Sequence, residues 1–215
     1  MWAAIAIGAS FALAGLSAAT ITRLLVLAFI GGQFVFRARL VKALPGLAPK
    51  ARFITLGTLF AAVVEGFHMT SKPAYTALLV GPDTPAAEAL RYYAIDLLVT
   101  VPAYVVIFAV IWFFINRYRY GLWPYIVLMG LGQALGDGGF FFFLEAPQML
   151  VFLPYPMTNY HAINVIPFLA VRGALPAARV AGGHSWLAVP ALIGTYLVCG
   201  AIIKLAGRAA GLEAG

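Results

Sequence analysis

Runs of Leu, Val, Ile, Phe, Ala and Gly recur along the chain, each closed by charge, Pro or Gly, and together they predict six helices. The first run covers residues 2–36, which as one helix would be about 50 Å long against a hydrocarbon core of about 30 Å. It must therefore tilt, overhang or break, and the polar stretch Thr20-Ile21-Thr22-Arg23 is the expected place. The other five lie near residues 53–71, 93–116, 123–144, 158–171 and 186–205. The fifth is short for a span and contains Pro167, which predicts a kink.

Polar side chains interrupt these runs at Glu65, His68, Asp96, Asp137, His161 and Asn164. A charge at the centre of a bilayer costs at least about 2.5 kcal/mol on insertion scales, so such a residue is kept where it faces a protein interior or a watery cavity. Consecutive spans run antiparallel, and each of the six residues then falls in the same half of the membrane. That convergence holds whichever way the chain is inserted. Glu65 and His68, three apart, share a helix face, as do Gln133 and Asp137, four apart. The loops at that end, residues 72–91 and 146–157, are the longer and more Pro-rich ones and could cover a cavity.

Composition agrees with an all-α, polytopic membrane bundle of about five to six spans. Of 215 residues 63% are hydrophobic and 10% charged, where a soluble domain carries roughly a quarter charged. The net charge of +7 would point to nucleic acid in a soluble chain; here basic loops account for it and no nucleic-acid partner is expected. Residues 37–52 hold Arg37, Arg39, Lys42, Lys50 and Arg52 with no acid. With that loop cytoplasmic and the first run crossing once, Arg117, Arg119, Arg172 and Arg179 join it, and only Lys72, Arg91, Lys204 and Arg208 fall outside. Both termini are then non-cytoplasmic. The N-terminal run lacks a basic leader region and a small-residue cleavage site, so it reads as a membrane helix rather than a signal peptide. Three parts follow: 1–52, an N-terminal helix and basic loop; 53–172, a four-helix core; and 173–215, an additional helix and tail. Arg in excess of Lys, with abundant Ala and Gly, points to a bacterial inner membrane, or the endoplasmic reticulum in a eukaryote.

Cofactor chemistry finds little support. Cys199 is the single cysteine, which excludes a disulfide framework or a cysteine metal site. The histidines and acids lack the His-x-x-x-His and Glu-x-x-His spacings of metal sites, and His68 with His161 is not backed by other cytochrome signals. No metal, haem or other cofactor is expected. His184 falls in a loop and reads as structural. The sharpest local pattern, residues 132–145, combines Gly132, Gly136 and Gly139 with Gln133, Asp137, four consecutive Phe and Glu145. It can be a close helix-packing face with Asp137 paired to Arg23, or one wall of an aromatic pocket.

The motifs Val64-Glu65-Gly66-Phe67, Arg91-Tyr92-Tyr93-Ala94-Ile95-Asp96, Gly132-Gln133 through Gly136-Asp137 with Phe140-Phe141 and Glu145, and Val165-Ile166-Pro167-Phe168-Leu169 before Arg172 occur in one order. In that order the chain resembles the EXPERA-domain family, which includes the emopamil-binding protein, a sterol Δ8–Δ7 isomerase, and the sigma-2 receptor. The resemblance covers about residues 53–172; the first helix has a loose counterpart and the sixth looks extra. It implies a lipid pocket in which Glu65 matches the family's catalytic glutamate, with contacts to the occupant at Tyr92, Gln133, Phe141 and Glu145. Three departures stand out. Ala61 replaces a His one turn before the glutamate, Ala103 a second Glu, and Ile163 a Trp.

The expected activity is acid–base chemistry on the alkene of an isoprenoid or sterol-like lipid, as an isomerase or cyclase. A carboxyl in apolar surroundings favours its neutral, proton-donating form, and aromatic faces stabilise a carbocation. Glu65 is expected as the acid, His68 or Asp96 as its partner or base, Asp137 as second carboxylate, and His161 and Asn164 as orienting donors. The partners are a hydrophobic lipid-like molecule and membrane lipids, and a homodimer is compatible with the chain. The alternatives are a non-catalytic lipid- or sterol-binding membrane protein and, third, a transporter or redox subunit.

Overall fold

The computed structural model describes residues 1–176 and 183–212. Its regular elements are helical: α1 Trp2–Ala14, α2 Ala18–Val35, α3 Arg37–Leu40, α4 Pro49–His68, α5 Ala86–Arg117, α6 Leu122–Ala134, α7 Phe140–Glu145, α8 Pro154–Val171 and α9 Ala188–Ala209, with short 3-10 turns between some of them. Four stretches are long and apolar enough to cross a membrane: Ala18–Val35, Ala86–Arg117, Leu122–Glu145 and Ser185–Ala209. Leu98, Phe113, Val198, Ile202 and Leu205 stand on their outer faces, each more than half exposed. Such an apolar exterior is what an integral membrane protein offers to lipid. Arg179, one of the charges assigned to the basic side, lies outside the described residues.

The first run is broken, but three to five residues before the expected place. Gly15 takes φ 59°, a conformation that a residue with a Cβ rarely adopts. Ser17 then caps α2, its hydroxyl accepting from the Thr20 amide at 3.2 Å. Thr20-Ile21-Thr22-Arg23 stays helical because its polar groups find partners. Thr22 donates to the Phe67 carbonyl at 2.9 Å, and Arg23 reaches α8. At 13 residues α1 is about 20 Å long, too short to cross. It lies against the start of α8, where Trp2 Nε1 donates to the Val151 carbonyl at 2.7 Å and Phe11 meets the edge of Tyr155.

The fourth run is also interrupted. Between α6 and α7, Asp137 and Gly138 leave helical geometry, Gly138 at φ 88°, and the Phe140 amide donates to the Leu135 carbonyl across a wide turn. Gly139 has no room for a Cβ, because the Ala134 carbonyl oxygen occupies that space. The start of the third helix moves from residue 93 to Ala86 and that of the fifth from 158 to Pro154, while Pro167 sits inside α8.

α4 and α8 reach 20 and 18 residues but are more polar than the four apolar stretches, and they occupy the middle. α4 packs on α5 and α8, while α9 packs on α5 and α6. α9 is thus a wall of the bundle. Toward the basic loop the bundle is filled: Phe53 meets Phe108 edge to face at 5.7 Å, and Tyr125 stacks on Phe168 at 3.9 Å. All four are fully buried, and Gly57 lacks a Cβ where the Phe108 ring sits. Toward the other end the helices part.

Candidate functional site

Where they part, α4, α5, α8, α9 and the turn between α6 and α7 enclose a cavity of about 450 Å³, the size of a small-molecule site. Its wall carries two carboxyl groups. Glu65, from α4, accepts a hydrogen bond from the Tyr104 hydroxyl of α5. Asp137, placed by the non-helical turn, accepts from the Tyr160 hydroxyl of α8 at 2.7 Å. A third tyrosine, Tyr196 of α9, meets Tyr160 edge to face at 6.1 Å. Its hydroxyl donates to Gln133 Oε1 at 3.1 Å, and Gln133 Nε2 donates to the Met129 carbonyl at 3.1 Å. Irregular backbone at membrane depth is tolerated where it is buried in protein or lines a cavity, and Gly136, Asp137 and Gly138 line this one.

His68 sits one turn after Glu65 in the same wall. Its Nδ1 lies 2.9 Å from the Val64 carbonyl, so this nitrogen carries the hydrogen, and Nε2 accepts from Asn159 Nδ2 at 3.2 Å. The Asn159 Oδ1 in turn accepts from Arg23, whose Nη1 also donates to the Thr158 hydroxyl at 2.7 Å. Arg23 is buried, with its guanidinium 4.3 Å above the Tyr155 ring. It fastens α2 to α8 and orients Asn159, which fixes the imidazole. Asp137 is therefore bonded to Tyr160, and Arg23 belongs to a separate network.

Of the residues expected in the site, Glu65, His68, Asp137 and Phe141 line the cavity. Their shared depth does not bring Asp96 or His161 into the cavity wall. Asp96 is buried one turn above Thr100 on the same face of α5, and its Oδ1 accepts from the Ala74 amide at 2.7 Å. It pins the segment over the cavity and does not itself line the wall. His161 turns toward α6, where a Cβ on Gly130 would stand 2.7 Å from its Nε2. Asn164 is buried away from the cavity, its side-chain amide without a partner among the described residues. Gln133 lies behind Tyr196, from whose hydroxyl it accepts, and does not line the cavity. Tyr92 donates to Glu88 at 2.6 Å and packs half-buried against Met69, Tyr75 and Leu78, apart from the cavity wall, and Glu145 is exposed at the end of α7. Among the described residues, no three His, Cys, Asp or Glu side chains gather as a metal ion needs.

Reasoning from sequence missed Tyr104, Tyr160, Tyr196, Asn159 and the pair Lys72 and Lys204, all in the cavity wall. Ala103 and Ile163, noted as departures, are in it as well. No protein-family model, curated protein or solved structure matches the chain.

Proposed function

We propose that the chain is a membrane enzyme of about five to six spans that moves protons on an alkene of an isoprenoid or sterol-like lipid, as an isomerase or cyclase in the manner of the EXPERA-domain family it resembles. The observation that carries this reading is the pair of tyrosine-bonded carboxyls, Glu65 and Asp137, set in one cavity whose wall also holds apolar residues such as Ile107, Ile163 and Leu197 beside His68 and Asn159. Glu65 in its neutral form gives its proton to one alkene carbon, and the neighbouring carbon becomes cationic. The rings of Tyr104, Tyr160, Tyr196 and Phe141 face that charge. Loss of a proton from an adjacent carbon to Asp137, or to His68 once Nε2 exchanges Asn159 for the substrate, leaves a relocated double bond and an unchanged proton count. A cyclase differs only in that a second alkene attacks the cation before the proton is lost.

A non-catalytic lipid-binding role is the second reading, and it too has an observation in its favour. The wall holds Ala103 and Ile163 where the family's isomerases carry Glu and Trp, which removes polar groups from the site. The two readings part on Glu65→Gln, which keeps the volume of the side chain. For the enzyme, turnover drops by about 10² to 10⁴ with the lipid still bound, and the wild-type product made in heavy water carries deuterium on carbon. Binding that weakens in step with any activity supports the anchor instead. Unlabelled product and unchanged binding together remove both roles.

A further inference from the structure

The cavity has a cationic rim. Lys72 and Lys204 are exposed side chains that line its mouth, and neither pairs with a carboxylate among the described residues, where the ion pair is Arg91 with Glu88. Two independent contacts hold the lysines on one side of the bundle. The Lys72 amide donates to the His68 carbonyl at 2.8 Å, so Lys72 continues the last turn of α4. Tyr75, three residues on, donates to the Ile203 carbonyl at 2.8 Å and ties that segment to α9 beside Lys204. Below the rim come the carboxyls and tyrosines. Lys72 follows Glu65 by seven residues and Lys204 follows Tyr196 by eight, which at 1.5 Å per residue sets the rim about 10 Å above the acids.

We propose that the occupant of this cavity is an amphiphile with an anionic head, a phosphate or carboxylate, held by Lys72 and Lys204 so that its chain enters between Glu65 and Asp137 and presents a carbon about 10 Å from the head. This rests on the cavity being a lipid site and does not depend on the chemistry done there. Acids alone at the mouth would select a cation or a neutral alcohol. Two free ammonium groups above the carboxyls of Glu65 and Asp137 select the opposite charge and keep it away from the acids. The same lysines could instead hold the headgroups of surrounding bilayer lipid, and the test separates these sources.

The full chain is placed in nanodiscs of phosphatidylcholine alone, and geranylgeranyl monophosphate is compared with geranylgeraniol, which has the same tail and a neutral head. The phosphate should bind at least about tenfold more tightly. The double variant Lys72→Gln, Lys204→Gln should erase the difference and leave the alcohol as before, and Lys72→Arg with Lys204→Arg should keep it. Raising salt from about 50 to 500 mM should weaken the phosphate and not the alcohol, a readout that needs no variant. Equal binding of the two probes, with the lysine changes felt only in discs containing phosphatidylglycerol, assigns the lysines to bilayer headgroups and overturns the proposal. Binding of the alcohol alone overturns it while leaving the lipid cavity standing. Binding of neither removes the cavity reading and this one with it.

Discussion

The cavity and the segment that roofs it each engage carboxyl groups of the surrounding helices, half-buried Glu65 and exposed Asp137 in the first and fully buried Asp96 in the second, and they use them in opposite ways. In the cavity, Glu65 and Asp137 meet tyrosine hydroxyls, side chains that can swing away and be replaced by an occupant. In the roof, Asp96 meets the backbone amide of Ala74, which cannot leave without the loop. The roof has its own small core of Met69, Tyr75 and Leu78, packed against the first turns of α5 and the last of α9. Burial by itself therefore does not mark chemistry. What differs is the partner: a phenol for each of the two cavity carboxyls, a loop backbone amide for Asp96.

That contrast can be broken most sharply by pairing substitutions. Asp137→Asn should lower turnover by about 10² to 10⁴ while the thermal midpoint stays near wild type, because the amide keeps the shape and loses the base. Asp96→Ala should do the reverse: about 1 to 3 kcal/mol of stability is lost as the Ala74 amide goes unpaired, with faster hydrogen exchange near Ala74 and turnover per folded molecule within about tenfold. Steady-state kinetics and thermal unfolding in the same detergent read both, and the opposite pattern would sink the division. A smaller effect is expected where α9 meets the roof. Gly207 leaves room for the Tyr75 ring, and Gly207→Ala should cost about 1 to 3 kcal/mol by overpacking, seen as a lower midpoint and leakage of bound lipid. The least effect belongs to Tyr92→Phe, which removes a hydrogen bond to Glu88 one turn away on α5 and keeps the ring. Kinetics and midpoint should match wild type, and any loss of activity would return Tyr92 to the site.

Why the sequence misplaced some of these residues follows from what hydropathy encodes. Run length locates a helix and gives the height of each residue, and all six runs are helices. Height alone says nothing of direction around the helix. On α8, Asn159, Tyr160 and Ile163 face the cavity; at 100° per residue, Asn164 lies about 90° and His161 about 150° from their mean direction. Asp96 errs the other way. It shares the face of Thr100, Ala103 and Tyr104 but stands one turn too high, where a loop amide reaches it first. Tyr104, Tyr160 and Tyr196 were hidden because a tyrosine in an apolar run looks like core until its hydroxyl is given a partner. The break at Gly15 was legible in principle, as a glycine two residues before a capping serine. The polar stretch beyond it drew attention because its own partners lie far away in sequence.

The non-helical turn at Asp137 and Gly138 carries one more consequence. In an unbroken α-helix, Gln133 and Asp137 would point within about 40° of each other and compete for one neighbour. The interruption resets the rotational phase of the chain between them, so Gln133 serves Tyr196 on α9 while Asp137 serves Tyr160 on α8. A single membrane segment thereby acquires two independent orientations, and the glycines that permit this are the joint that lets one stretch of sequence furnish two walls.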